Sequence, residues 1–305
     1  MAAQRQALPE GRWHFQHGPM DVVIGADGEA PALALAHEAA WQRFRTLLDE
    51  LVAELPQLRQ AIPAEAGAGA PQAPVPVQGQ VARRMWDACA PFRAGYITPM
   101  AAVAGSVAQE LVACYDRCGV HRAWVNNGGD IAFHLAPGHS LRAGLFADLA
   151  QWRTALAAAQ HGTEGLATDA QWLLTHDAPA RGLATSGWRG RSFSLGIADS
   201  VTVLAATAAQ ADAAATVVAN AVNVDDPAIV RQPACDLRDD ADLGTLPVTV
   251  AVPPLEPARV SAALEAGLAR AGALQQAGLI CFAALFCQGQ WRSTPHQAAI
   301  TLAAN

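Results

Sequence analysis

The sequence of 305 residues contains no lysine, so arginine provides all 20 of its basic side chains. This absence excludes a catalytic Schiff base and a nucleotide-binding P-loop, since both depend on a lysine side chain. Acidic residues outnumber basic ones, and the formal net charge is −7. Proteins that bind nucleic acid concentrate positive charge against the phosphates. The composition therefore predicts a protein that does not bind nucleic acid.

Long apolar runs are also missing, and none approaches the roughly 20 residues that a bilayer-spanning helix requires. The first residues, Met1 to Gln6, lead into a polar, proline-containing stretch rather than the apolar core of a signal peptide. The first cysteine is Cys89, so no lipid-anchoring cysteine stands near the start. We expect a cytoplasmic protein that has no membrane partner.

Cysteine is scarce, with six residues in the chain. Only Cys114 and Cys118 are closely spaced, and no second pair of cysteines or histidines matches them, which argues against a zinc site. We expect the cysteines to be small buried apolar residues in a reducing compartment.

What the sequence does contain is a folded, mixed pattern, with 52% hydrophobic and 15% charged residues. Strand-like and helix-like segments follow one another in irregular order, which predicts an α+β fold in a single domain spanning 1–305. A segment rich in proline, glycine and alanine, 63–80, is expected to be a linker. Predicted strands are two within 12–25, a hairpin at 120–135, and 141–147, 182–186, 192–197, 199–206, 246–252 and 278–287. Predicted helices are 31–59, 81–90, one opening at Pro99, 207–223 and 257–276.

The first candidate functional segment is Asn126-Asn127-Gly128-Gly129-Asp130. Asparagine and glycine tolerate positive φ, so the segment is typical of a simple hairpin turn. The same segment could instead bring exposed backbone and the Asp130 carboxylate against a ligand. The residues alone leave both interpretations open.

The second candidate is the predicted helix that follows Thr207, where Thr207 and Gln210 form a capping-box pattern. Asp212 and Thr216 stand one helical turn apart and therefore share a face. A carboxylate and a hydroxyl are hard ligands that suit Mg²⁺, with water and phosphate completing its shell. A solvated aspartate and a threonine bonded back to its own helix explain the spacing equally well.

Two further segments carry small residues. Ala184-Thr185-Ser186-Gly187 ends a predicted strand, but Ser186 lacks the Gly-x-Ser-x-Gly context of a hydrolytic nucleophile. Ala101-Ala-Val-Ala-Gly105 opens a helix on which small side chains let another backbone, or a ligand, approach closely.

The order of these segments resembles the ApbE family, over roughly residues 95–223. That family includes Mg²⁺-dependent flavin transferases, which bind FAD and attach its FMN part to a threonine of a target protein. The resemblance implies a T-fold-like arrangement of mixed sheets packed with helices. The segments Arg231-Gln-Pro-Ala234 and Asp242 to Val250 resemble a cytoplasmic, uncharacterised branch rather than standard ApbE proteins.

The resemblance also implies roles for individual residues. Asp212 and Thr216 match the metal-binding side chains of the family, and Ala102 is the nearest match for the alanine whose carbonyl completes the metal site. The nucleotide is implied to lie beside a further set of matching residues: Asn127, Gly128, Gly129, Asp130, Thr185 and Ser186.

Two departures from the family pattern bear on activity. Ala104 stands where the family has the lysine of its Ala-Lys-Gly motif. The His-Ile-Ile-Asp-Pro motif is replaced by the shorter stretch from Ser192 to Asp199. The resemblance implies that the loss of this second motif removes groups that would position the pyrophosphate or activate an acceptor.

Three hypotheses follow. The protein is an enzyme that transfers or cleaves FAD, in which Asp130 orients the ligand or serves with Asp199 as a general base. Alternatively, it binds a flavin or pterin-like ligand without converting it, or serves pterin-type cofactor metabolism. A third reading is a scaffold whose pocket has no ligand. The alanine-rich helices are compatible with a homodimer.

Overall fold

The computed structural model describes residues 2–64, 75–145, 170–295 and 300–303. Helices and mainly antiparallel strands are mixed along these ranges, so the fold is α+β, as predicted. The contacts divide the chain into two compact units. The first unit comprises Met1–His139, Ala180–Ala184 and Leu204–Ala213, and the second comprises Ser140–Pro179, Thr185–Val203 and Ala214–Asn305.

The strands are β1 Gln4–Ala7, β2 Trp13–His17, β3 Met20–Gly28, β4 Val120–Asn127, β5 Asp130–Leu135, β6 Ser140–Leu145, β7 Ala170–Thr175, β8 Gly182–Ser186, β9 Ser200–Ala205, β10 Val230–Pro233, β11 Pro247–Ala251, β12 Phe282–Cys287, β13 Gln290–Ser293 and β14 Ile300–Ala303. The α-helices are α1 Ala30–Ala53, α2 Leu55–Leu58, α3 Gln80–Cys89, α4 Val103–Val112, α5 Ala208–Ala221, α6 Ala234–Leu237 and α7 Pro257–Gln276.

The first unit is built on an antiparallel meander in the order β1-β2-β3-β4-β5, whose last strand pairs with the start of β8. Helix α1 packs on β2 and β3, and α4 packs on β4 and β5. The apolar residues of α1 recur at helical spacing, which places Ala40, Phe44 and Leu47 on one buried face. They meet the buried side chains of the strands there, where Phe15 contacts Phe44 at a ring separation of 5.4 Å.

The described strands of the second unit belong to three sheets. In one of them, the residues of β8 and β9 that belong to this unit are followed by β12 and then β13 in the order of the sheet. Helix α7 packs on β12 and β13. Strands β6, β7 and β14 form a separate sheet, and β10 pairs with β11. Trp172 of β7 is fully buried and lies edge-on to Phe282 of β12, with ring centroids 5.6 Å apart.

The predicted strand at 192–197 is wrong. The side chain of Asn220, near the end of α5, accepts hydrogen bonds from the Leu195 N–H at 2.9 Å and the Ser194 hydroxyl at 3.1 Å. The Ile197 N–H donates to the Val222 carbonyl at 2.8 Å. The segment therefore satisfies its backbone groups against the end of a helix and has no need of a strand partner.

Other predicted boundaries shift. The helix expected over 31–59 divides into α1 and α2, and the strand expected from 278 begins at Phe282. Gly278 adopts a φ of +71° as α7 ends, which delays the strand. Residues 65–74 of the expected linker and residues 146–147 of the strand expected at 141–147 lie outside the described residues. The single-domain organisation stays a prediction.

Cys89, Cys281 and Cys287 are buried as expected, whereas Cys118 is exposed. Within the described ranges, no helix combines the length and the apolar character needed to cross a membrane.

Candidate functional site

The Gly-Gly-Asp segment is the turn of the β4–β5 hairpin in the first unit. Gly128 and Gly129 form a two-residue loop with φ values of +70° and +116°, a region that L side chains rarely adopt. The Asn126 carboxamide oxygen accepts a hydrogen bond from the Gly129 N–H at 2.8 Å. The hairpin prediction is confirmed, and Asp130 is the first residue of β5.

Asn127 links this turn to helix α4. Its side chain is buried, and its Nδ2 donates a hydrogen bond to the Ala104 carbonyl at 3.2 Å. The turn therefore has a defined position against the start of α4, because a buried carboxamide needs its hydrogen-bond partner.

Helix α4 begins without a capping side chain of its own. A 3₁₀ turn, Pro99–Ala102, precedes it, and Ala102 is its fully buried N-cap residue. The first N–H groups of a helix lack partners within the helix and must be satisfied from elsewhere. In this unit the partner comes from the start of another helix, α5.

Asp212 of α5 supplies that partner. Its Oδ2 accepts a hydrogen bond from the Gly105 N–H at 2.9 Å, and the Ala104 N–H also donates to the carboxylate. Glycine at 105 permits the close approach, because an added Cβ would overlap the Ala208 carbonyl oxygen and lie 2.9 Å from the Asp212 Cβ. The carboxylate thus caps α4 from a position 107 residues away in sequence.

The electrostatics of Asp212 are unfavourable for a negative charge. Burial, and then the neighbouring Asp130 carboxylate, raise the pKa of Asp212 well above its usual range, while the hydrogen bonds from Gly105 and Ala104 act to lower it. A carboxylate in these surroundings either retains a proton or accepts a cation.

The residues present fit a hard divalent cation in part. Asp130 and Asp212 offer carboxylate oxygens, the ligand type that Mg²⁺ prefers. Among the residues that the structure describes, no group of three or more His, Cys, Asp or Glu side chains is arranged to hold a metal. A cation here would therefore need hydroxyl, carbonyl, water or substrate oxygens as well. Thr216 follows Asp212 by one turn of α5 and belongs to the second unit.

The expected capping box at the start of α5 forms only in part. The Thr207 hydroxyl accepts from the Gln210 N–H at 3.2 Å, but the buried Gln210 Oε1 makes no hydrogen bond among the described residues. Gln109 of α4 instead accepts from the Ala209 N–H at 3.4 Å. Sequence reasoning missed this contact, because nothing local to Gln109 indicates a partner 100 positions away.

The remaining predicted residues lie in the second unit. Thr185 and Ser186 end β8, and the Thr185 hydroxyl lies 2.9 Å from that of Thr202 on β9. Asp199 is mostly buried, with its Oδ1 3.2 Å from the Arg189 Nε and its Oδ2 accepting from the Gln288 N–H at 2.5 Å. These partners give Asp199 an anchoring role, and its role as a general base stays a prediction.

Comparison with known proteins gives the family. A family model described as "AbpE bacteria" matches residues 5–293, which is most of the chain. The chain belongs to this family. The match confirms the resemblance to ApbE-like proteins drawn from the motif order.

Archaeal relatives agree with a branch outside the standard ApbE proteins. A UPF0280 protein of Methanopyrus kandleri is 34% identical over 222 residues, covering 72% of this chain and 78% of that protein. A UPF0280 protein of Methanothermobacter thermautotrophicus is 34% identical over 152 residues, which is 48% of this chain and about half, 52%, of that protein.

Among solved structures, the apo form of the flavinyl transferase ApbE of Pseudomonas stutzeri is one to which this chain is similar. The alignment covers 97% of this chain and 94% of that one, with 13% sequence identity and a TM-score of 0.38.

Proposed function

We propose that the protein binds a flavin nucleotide, or a related pterin-type ligand, at the Gly-Gly-Asp turn of its first unit together with Mg²⁺. The observation that supports this most is the Asp130 and Asp212 carboxylate pair beside the start of α4. A divalent cation would relieve the repulsion within this pair, and the pyrophosphate of FAD would supply further oxygen ligands.

The chain's own residues have distinct tasks in this proposal. Asp212 holds the cation while it remains fixed by the N–H groups of Ala104 and Gly105. The exposed Gly128 has no side chain, so a flat ligand can approach the turn. Thr216 and the Ala102 carbonyl are the further oxygen donors that the family resemblance assigns to the metal.

Bound Mg²⁺ would neutralise the charge that develops on a pyrophosphate during cleavage. In the catalytic form of the proposal, Asp130 accepts the proton of the attacking hydroxyl, and the protein releases AMP as FMN is transferred or freed.

Binding without turnover is the second candidate. It is favoured by Ala104, which stands where transferases of the family carry a lysine, and by the replacement of the His-Ile-Ile-Asp-Pro segment. The pyrophosphate then lacks a cationic side chain at this point, which weakens stabilisation of the transition state more than binding.

The test is a thermal-shift titration with FAD, FMN and a pterin, with and without Mg²⁺. At a ligand concentration of about 100 times Kd, binding should stabilise the fold by roughly 2.7 kcal/mol. We expect Mg²⁺-dependent stabilisation by FAD that is lost in Asp212→Asn and in Asp130→Asn. Asp49→Asn, which makes the same charge change at an exposed position on α1, serves as the control.

Release of AMP on prolonged incubation assigns an enzyme, and retention of intact FAD assigns a binding protein. No stabilisation by any of the three ligands would refute the proposal. Equal stabilisation of the wild type and Asp212→Asn would remove Asp212 from the site.

A further inference from the structure

The second unit contains an open cavity of about 240 Å³ just after the end of α5. Its lining consists of Asn223, Val224, Asp225 and Arg231. None of the residues assigned to flavin or metal binding lines it. Arg231 opens the Arg231-Gln-Pro-Ala234 segment, which the proposed flavin site does not use.

Arg231 is held in a fixed orientation by Asn223. The guanidinium Nη2 donates to the Asn223 Oδ1 at 2.7 Å, and that oxygen also accepts from the Val224 N–H at 2.9 Å. The Asn223 Nδ2 donates to the Leu195 carbonyl at 3.4 Å, so the carboxamide is itself anchored. A guanidinium carries five N–H donors, and the hydrogen bond to Asn223 uses one of them.

Asp225 places the opposite charge at the same cavity. Its carbonyl accepts from the Arg259 Nη1 at 3.1 Å, which anchors the backbone, while the residue is exposed. Within the part of the chain that the structure describes, no ion pair at or below 4.0 Å includes either Arg231 or Asp225. Both residues therefore line one cavity, and each keeps its charge free of a direct ion pair with any described residue.

This arrangement selects the charge pattern of its ligand. A simple anion on Arg231 is disfavoured by the nearby Asp225, and a simple cation on Asp225 is disfavoured by Arg231. A molecule with both charges meets a complementary group at each end. The cavity is also smaller than the roughly 300–1,000 Å³ of sites for drug-sized ligands, which favours a small molecule.

We propose that this cavity binds a small α-amino acid, whose carboxylate pairs with Arg231 and whose ammonium group pairs with Asp225. An arginine fork suits a carboxylate because it can donate two parallel hydrogen bonds. The site is separate from the flavin proposal and requires neither Mg²⁺ nor a nucleotide.

Three probes of similar size test the charge pattern: L-alanine, propionate, which lacks the amine, and ethylamine, which lacks the carboxylate. Binding to the full chain is followed by ligand-observed NMR titration at one ionic strength. We expect L-alanine to bind more tightly than either single-charge probe. Asp225→Asn and Arg231→Lys should each weaken L-alanine binding roughly tenfold or more, the effect of losing a hydrogen bond to a charged group.

The control is Arg270→Gln, which removes a positive charge from an exposed position on α7 and should leave L-alanine binding unchanged. Asp225→Asn alters an exposed side chain, so it keeps the test valid if the Arg231 variant folds poorly. Absence of L-alanine binding to the wild type overturns the proposal. So does propionate binding as tight as that of L-alanine with no effect of Asp225→Asn.

Discussion

At the residue scale, Glu110 of α4 is the clearest example of a side chain whose surroundings determine its contribution to the free energy of unfolding. Its carboxylate is 8% exposed and accepts from the Arg43 Nε at 2.7 Å and the Arg84 Nη2 at 2.8 Å. Because Arg43 lies on α1 and Arg84 on α3, this one buried carboxylate connects α1, α3 and α4. Arg43 also pairs with Glu50. Removing it would leave two partly buried guanidinium groups without their shared partner.

We expect Glu110→Gln to lower the free energy of unfolding by about 3 kcal/mol, because breaking a buried ion pair leaves charge uncompensated. Urea denaturation measures the loss. Glu38→Gln is the matched control: Glu38 pairs with Arg5 at 2.7 Å but is 51% exposed, so solvent screens the pair and its removal should cost much less stability. Equal losses in the two variants would contradict the role given to Glu110.

His37 and Tyr115 form a second pair at this scale, with the His37 Nδ1 2.6 Å from the Tyr115 hydroxyl. Burial raises the pKa of Tyr115, so its hydroxyl keeps its proton and can donate to the imidazole. Burial also lowers the pKa of His37, which keeps the folded-state imidazole neutral.

The lowered pKa of His37 predicts a loss of stability in mild acid. As the pH falls through about 6.5 toward the lower folded-state pKa, the unfolded chain binds the proton first, so the free energy of unfolding decreases. His37→Gln removes this titration, and its free energy of unfolding should fall less over the same pH range. His139→Gln, on a ring stacked against His121, provides the comparison. Parallel pH profiles for wild type and His37→Gln would show that His37 does not contribute.

At the element scale, the site of the first unit depends on close contact between α4 and the start of α5. On α4, Gly105 allows this contact. Gly182 of β8 allows a second close contact with the start of α5, because an added Cβ there would overlap the backbone of Ala208. Small residues at these positions decide how near Asp212 comes to the N–H groups it caps.

Gly105→Ala should therefore destabilise the protein by about 1–3 kcal/mol, the usual cost of overpacking. Gly272→Ala on α7 is the control, because no heavy atom lies within 4 Å of its added Cβ. There the substitution should be neutral or stabilise by about 0.5–1 kcal/mol, since alanine favours helix more than glycine does. Thermal and urea denaturation measure both. A tolerated Gly105→Ala would mean that the two helices can separate without loss.

At the scale of the whole molecule, the AbpE family match spans 5–293 and thus draws on both units. The two units supply different chemistry: the carboxylate pair and the Gly-Gly-Asp turn belong to the first, and the Arg231 cavity belongs to the second. A single protein could on this basis bind two unlike ligands, and each is testable without the other.

The homodimer also stays a prediction at this scale. Light scattering on the purified protein should give a mass of twice 31.7 kDa. Large apolar side chains exposed on the described surface, such as Trp291 at 56% and Leu35 at 64%, are positions where a partner could bury area. A mass equal to one chain across the accessible concentration range would rule the homodimer out.

The sequence by itself determined the local features. The β4–β5 hairpin follows from two adjacent glycines between alternating strands, and α7 follows from its apolar period and from Pro257 at its first position. These signals depend on a few neighbouring residues, so they can be recognised without knowing how the rest of the chain packs. The order of the motifs was also enough to indicate the family.

Only the tertiary structure decided what each functional side chain meets. The family resemblance implied that Asp212 is a metal ligand, but its role as the cap of α4 depends on a contact across 107 residues. The segment 192–197 was predicted as a strand, but its backbone N–H groups donate hydrogen bonds to Asn220 and Val222 instead. Likewise, Arg231 and Asp225 line one cavity because the chain that follows α5 folds back and brings Arg231 beside residues 223–225. Periodicity and capping are local, whereas hydrogen-bond partners and charge neighbours depend on which distant segments pack together.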